Sequence, residues 1–178
     1  DDTGCHIWRI GAYASAIARA SGWTFDMASE LKLSAAMHDT GKIGIPDSVL
    51  KKPGKLDTKE WDIMKTHTTI GYDILSKNDT AFFHLSAEIA LRHHEKWNGS
   101  GYPNGLKGEN IPESARIVAI CDVFDALTMK RSYKPAWSVE DSFAEIEKTI
   151  GTHFDPEIAE CFMRIKPEII EIKESWEK

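Results

Sequence analysis

An all-α fold, a single bundle of about seven to eight helices, is the architecture this sequence predicts. Three observations predict it. Apolar residues recur at three- and four-residue steps through most of the chain, cap residues and Gly or Pro breaks separate those stretches, and no segment needs to be read as a strand. At 178 residues the chain can bury one sizeable core and is short for two domains, so one domain over 1–178 is expected. With 42% hydrophobic and 28% charged residues it reads as an ordinary soluble protein. The net charge of −6 argues against a surface built to coat nucleic acid or an anionic membrane, so any anionic ligand must be held by a local cationic site. No apolar run approaches the roughly 18 to 20 residues that span a bilayer, and no signal-peptide pattern opens the chain. Cys5, Cys121 and Cys161 lie far apart without a CxxC, which predicts buried free thiols in a reducing cytoplasm. The opening Asp1-Asp2-Thr3-Gly4 runs straight into helical pattern without an initiator Met, as in a domain cut from a longer polypeptide.

From Thr3 to Ala20, residues Ile7, Ile10, Tyr13, Ala14, Ile17 and Ala18 fall on one helical face, with His6 one turn before Ile10 on the buried side. Ser21-Gly22-Trp23 ends this helix, and Thr24 or Asp26 caps the next, in which Met27, Leu31, Ala35 and His38 share a face. His38 is thus expected inward at a helix C-terminus, with Gly41 as the stop. Gly and Pro at both ends of 41–56 predict an ordered loop with one turn at Asp47 to Leu50. Asp57 and Glu60 make a capping box, and Trp61, Met64, His67, Ile70, Gly71 and Ile74 follow on one stripe. After Asn78-Asp79-Thr80 the helix from Ala81 carries Leu85, Ile89 and His93 along a face, with His84 structural or exposed. His94 then points about a hundred degrees away from His93, so the two can line one wide cavity but not chelate one ion as an i, i+4 pair would.

Four Gly and one Pro between Trp97 and Gly108 predict a loop, long for a plain connection and directly after the double His, hence a lid over a site. Pro112 introduces a strongly apolar helix, Ala115 to Met129, which should be central, so that Asp122 and Asp125 within it need a cation or several donors. Arg131, Tyr133 and Lys134 follow before Pro135, and Ser138 caps a helix to about Ile150. In Gly151-Thr152-His153-Phe154-Asp155-Pro156, Asp155 caps and Pro156 takes the first helical position, with His153 structural. A last helix is expected to break at Pro167.

Five inward histidines, His6, His38, His67, His93 and His94, joined by Asp39 and Asp122, need a common explanation. Taken singly, His38-Asp39 has an ordinary reading in which the Asp orients the ring. Unpaired, each buried group would cost roughly 1 to 3 kcal/mol, which a marginally stable fold cannot sustain seven times over. Nitrogen and oxygen donors without a thiolate, in excess of what one tetrahedral zinc takes, suit two ions of the iron or manganese kind bridged by a carboxylate.

His38-Asp39, then His67, then His93-His94-Glu95 with Gly99-Ser100-Gly101-Tyr102-Pro103, then Ala115 to Asp122 and Asp125-Ala126-Leu127-Thr128, resemble the HD-GYP group of HD-domain metal phosphohydrolases. The resemblance runs from Asp2-Thr3-Gly4-Cys5-His6 to Pro156 and implies an all-α HD-domain, phosphodiesterase-like fold. It implies hydrolysis of cyclic di-GMP to pGpG and on to GMP, on two or three iron or manganese ions. The ligands would be His6, His38, Asp39, His67, His93, His94 and Asp122. Asp2 stands where the family often has a Glu that binds a third ion, and the shorter side chain favours two. Lys42, Arg131 and Lys134 would meet the substrate phosphates, and Gly101, Tyr102 and Pro103 would form the substrate loop. Asp39 would be catalytic as the bridge between two ions that share a deprotonated water. Lys42 would be catalytic as the donor to the leaving oxygen. The group also implies an N-terminal receiver or sensor domain, GGDEF-type or other regulatory partners, and a homodimer. Competing readings are a phosphodiesterase for another cyclic dinucleotide such as cyclic GMP-AMP, an HD hydrolase of mononucleotides, or a non-catalytic module that binds a cyclic dinucleotide or recruits a partner.

Overall fold

The computed structural model describes residues 2–129 and 136–176, with side chains from residue 4 onward. Arg131, Lys134 and the side chain of Asp2 lie outside the described residues. Among the described residues ten helices follow in order: α1 (Asp2–Ala20), α2 (Phe25–Ala35), α3 (Asp47–Leu50), α4 (Thr58–Lys65), α5 (His67–Leu75), α6 (Ala81–Arg92), α7 (Glu113–Thr128), α8 (Val139–Lys148), α9 (Pro156–Arg164) and α10 (Lys166–Ser175). Short 3-10 turns lie at Thr40–Gly44 and Gly108–Asn110. Among the described residues extended backbone forms only two isolated bridges, Asn98 with Lys107 and Ile150 with Phe154, so the fold is all-α.

Helix α7 is central, as its composition demands. Ile117, Val118, Ile120, Cys121 and Phe124 are all fully buried, and the helix packs against α1, α6, α8 and α9. Around Phe124 the rings of Tyr13, Phe143 and Phe162 lie at centroid distances of 5.5, 5.2 and 5.4 Å, in edge-to-face arrangements that favour such clusters. A smaller apolar cluster, Leu75, Ala87 and Ala90, joins α5 to α6. Local chemistry sets many of the helix starts. Thr24, Thr80 and Ser138 accept backbone N–H bonds as N-caps, Asp57 and Glu60 complete the capping box, and Asp155 caps α9 ahead of Pro156.

Helix ends depart from the periodicity, and side chains are the reason. Helix α2 stops at Ala35, short of His38, because the 36–40 backbone turns to i→i−3 bonds and His38 Nδ1 takes the Ala35 carbonyl at 2.8 Å. Its buried face is Ala28, Leu31, Ser34 and Ala35, one residue round from the predicted stripe, which leaves Met27 49% exposed. The predicted helix through Trp61 and Ile74 is two, broken at Thr66. Thr66, His67 and Thr68 each bond the carbonyl three residues back, at 2.6, 2.7 and 2.9 Å, an alternative to the helical ladder. The last helical stretch does break ahead of Pro167: α9 ends at Arg164 and Pro167 takes the first turn of α10, where a missing N–H costs nothing. Gly41, by contrast, is no left-handed stop. It lies within the 3-10 turn, where a Cβ would stand 1.8 Å from the His67 carbonyl oxygen, so glycine is required by close approach. Cys121 is buried, while Cys5 and Cys161 are half-buried, and all three are free.

Truncating the ring at the centre of the core should be costly. Phe124→Ala is expected to lower stability by about 3 to 5 kcal/mol, read from the midpoint and slope of urea unfolding. A loss below about 1 kcal/mol would contradict the central place given to α7.

Candidate metal centre

Five segments converge on one site. They are the first turns of α1 with His6, the 36–44 turns with His38, Asp39 and Lys42, the start of α5 with His67, the end of α6 with His93 and His94, and the middle of α7 with Asp122. Three of the histidine rings are oriented from behind by backbone carbonyls. Nδ1 of His38, His67 and His93 faces the carbonyls of Ala35, Met64 and Ile89 at 2.8, 2.7 and 3.0 Å. A carbonyl only accepts, so each Nδ1 carries the proton and each Nε2 is turned toward the centre.

The seven residues form two half-sites that share Asp39. Ligating atoms of His6, His38 and Asp39 lie within 4.8 Å of one another, and so do those of His67, His93 and His94. Asp39 Oδ2 is 3.4 Å from His38 Nε2, while its Oδ1 is 3.5 Å from His67 Nε2 and 3.9 Å from His93 Nε2. Asp122 Oδ1 joins the first half-site at 3.9 Å from His6 Nε2 and 4.0 Å from His38 Nε2. These separations are too long for good hydrogen bonds. They suit donors ranged around an ion, since two ligands each about 2.1 Å from one centre stand roughly 3 to 4 Å apart. Nε2 of His38, His67 and His93 and Oδ1 of Asp39 are buried without a hydrogen-bond partner. Four such atoms pointing into one place fit divalent cations, and nothing else in the surrounding side chains satisfies them.

Electrostatics separate the halves. Burial works against a charge on His38, but Asp39 and then Asp122 outweigh it and push its pKa up to about 9. Burial likewise opposes ionisation of Asp39, yet His38 and then Lys42 hold its carboxyl well below the usual range. On the other side burial lowers His67, burial and the neighbouring His94 lower His93 strongly, and burial with His67 brings His94 down to about 3. Burial thus favours the neutral form of these three imidazoles, the form that binds a metal.

Contrary to the helical expectation, His93 and His94 belong to one half-site. Helix α6 ends at Arg92 with His93 as its αR C-cap, and the two imidazole rings lie 4.0 Å apart. Lys42 Nζ is 2.5 Å from Asp39 Oδ2 and partly exposed. Tyr102 stacks on His94 at 4.8 Å, and burial, with Asp122 and Asp39 nearby, raises its phenol. Gly101 is pressed against the chain, where a Cβ would meet Lys96 N at 2.3 Å, and Pro103 is exposed in the loop. His84 pairs with Asp79 on the surface, and burial lowers His153 to about 4, away from the centre.

Arg9 and Glu95 had no assigned role from the sequence, while Asp125, expected to need a cation or several donors, finds them in Arg9 and His6. Asp125 accepts from His6 Nδ1 at 2.7 Å and is gripped by buried Arg9, whose Nε and Nη2 donate at 2.6 and 3.0 Å. Burial opposes its charge, but His6 and Arg9 hold its carboxyl below the usual range. Glu95 is buried and accepts from the backbone N–H of Asn104 at 2.8 Å and Leu106 at 2.9 Å, pinning the Gly-rich loop beside the centre. Arg9 had one visible signal, a cation three residues after His6 on an apolar face.

Residues 5–158 match the family model described as HD domain. The chain is 46% identical to a cyclic di-GMP phosphodiesterase of Thermotoga maritima, over 96% of this chain and 46% of the relative. It is 45% identical to a 3′3′-cGAMP-specific phosphodiesterase of Vibrio cholerae, over 98% of this chain and 33% of the relative. The chain thus spans between a third and a half of the length of these curated relatives. In fold it resembles the crystal structure of a cyclic GMP-AMP-specific phosphodiesterase of V. cholerae, with a TM-score of 0.69 and 21% identity over 93% of this chain and 45% of that one.

The support behind His6 gives a direct test. Asp125→Asn keeps an acceptor for His6 but removes the charge that Arg9 and His6 share, and should weaken metal binding about tenfold in chelator competition. Unchanged affinity would mean that Asp125 serves only the core.

Proposed function

The chain belongs to the HD domain family, in its HD-GYP group, and on that premise we propose that it is a metal-dependent phosphodiesterase that opens cyclic di-GMP to pGpG and carries it on to GMP. The observation that carries this reading is the set of buried, partnerless atoms of His38, Asp39, His67 and His93 aimed at one place. We further propose that iron or manganese fills the two half-sites. His6, His38 and Asp122 would hold one ion and His67, His93 and His94 the other, with Asp39 offering an oxygen to each. Bound divalent ions supply Lewis acidity and a nucleophile at neutral pH.

The rest of the chemistry belongs to side chains. Lys42 stands at the open edge of Asp39 and would neutralise a non-bridging phosphate oxygen, worth on the order of 4 kcal/mol at close range with an effective dielectric near 20. The same ammonium is the candidate proton donor to the departing 3′ oxygen. Arg131 and Lys134 complete the cationic set in this reading. The loop at Gly101, Tyr102 and Pro103 would border the substrate, with Glu95 keeping Tyr102 against His94. Burial of the histidines limits competing water, which strengthens every charge contact there. Asp2, with its shorter side chain, leaves two ions as the reading rather than three.

Cyclic GMP-AMP is the second reading, favoured by a relative named for that substrate at nearly the same identity as the one named for cyclic di-GMP.

Protein loaded with Mn²⁺ should carry two ions per chain and hydrolyse cyclic di-GMP, and chelation should abolish turnover until metal is restored. Metal-free protein working at full rate, or binding without product, would overturn the reading. Asp39→Ala should lose turnover by more than about a thousandfold together with bound metal. Lys42→Met should lower kcat about a hundredfold with the metal count unchanged, and a variant with wild-type kcat would remove Lys42 from the chemistry.

A further inference from the structure

Helix α4 contributes no buried residue to the core, yet it carries Trp61, whose large indole is 46% exposed. A lone exposed aromatic is ordinary. Trp61 is set apart by its neighbour. Its ring lies 6.0 Å from that of Tyr102, nearly perpendicular at 82°. Tyr102 in turn stacks on His94 at 4.8 Å and faces His67 at 6.5 Å. A run of three rings therefore leads from the metal centre to an open apolar face at its rim. Both ends of the run are anchored. The capping box and the Lys52–Glu60 pair, at 2.5 Å, hold α4, while the Tyr102 N–H bond to the His94 carbonyl, at 3.1 Å, holds the loop.

Resting on the cyclic-dinucleotide reading above, we propose that Trp61 is the stacking platform for a purine base of the substrate, with Tyr102 as the wall between base and metal centre. A substrate anchored by its phosphodiester carries each base several ångströms away on a ribose, and a purine has two large π faces to desolvate. An indole is well suited to receive one, because base–aromatic stacking buries a wide π face and needs no particular hydrogen-bond pattern. Such a platform adds affinity without choosing between guanine and adenine. The near-equal likeness to relatives named for cyclic di-GMP and for 3′3′-cGAMP agrees with a rim that takes either.

Steady-state kinetics on cyclic di-GMP, 3′3′-cGAMP and methyl p-nitrophenyl phosphate, a phosphodiester without a base, test the assignment. Trp61→Ala should raise KM about tenfold for both dinucleotides with kcat changed less than twofold. Trp61→Phe should recover most of the loss, and the rate on methyl p-nitrophenyl phosphate should change less than twofold. Unchanged KM, a fall in kcat on all three substrates alike, or a loss confined to one dinucleotide would overturn the platform. Wild-type protein that turns over the simple diester but neither dinucleotide would instead overturn the cyclic-dinucleotide reading, and the platform with it.

Discussion

A single carboxylate facing two sets of imidazoles organises this molecule. Asp39 offers Oδ2 toward His38 and Oδ1 toward His67 and His93, at spacings too wide for hydrogen bonds and suited to intervening cations. Four of the five rings in the arrangement spend their rear nitrogen on protein, and His94 is held by stacking on Tyr102. His38, His67 and His93 donate to backbone carbonyls and His6 to Asp125, so rotation that would satisfy Nε2 elsewhere would break a second contact. The donors are thus held in place before any ligand arrives, at the expense of buried polar atoms without partners.

The helical frame serves that constraint in particular ways. Imidazole and hydroxyl groups capture carbonyls near the ends of α2 and α6 and across the α4–α5 break, which puts ligands at helix termini where backbone direction changes. Glycine at 41 lets the Asp39 turn approach the first turn of α5 closely enough for both to reach one place. Helix α7 brings Asp122 to the centre and Asp125 to its support, and Arg9 neutralises the latter inside the core. A lone carboxylate at that depth would be expensive; the bidentate pair makes it tenable.

Much of this could be read from residue types. The caps at Asp57, Ser138 and Asp155 are local signals, and the apolar run around Phe124 announced a buried helix. The seven residues His6, His38, Asp39, His67, His93, His94 and Asp122 do come together, because inward polar groups in a small core have few destinations. Other features rest on contacts that periodicity does not carry. The Arg9–Asp125 pair joins residues far apart in the chain. Glu95 binds backbone N–H groups, which leave no mark in a sequence. Gly41 is needed because of a neighbour from another segment, not because of its own φ. His93 and His94 share a half-site with His67, a grouping that depends on how α5 and the end of α6 pack together. Met27 is left exposed because α2 buries Ala28, Leu31, Ser34 and Ala35 instead.

The most direct measurement is anomalous diffraction from crystals of the manganese-loaded protein. Two peaks are expected, one on either side of Asp39, the first among His6, His38 and Asp122 and the second among His67, His93 and His94. One peak remote from Asp39, or none with those imidazoles still in place, would contradict that placement.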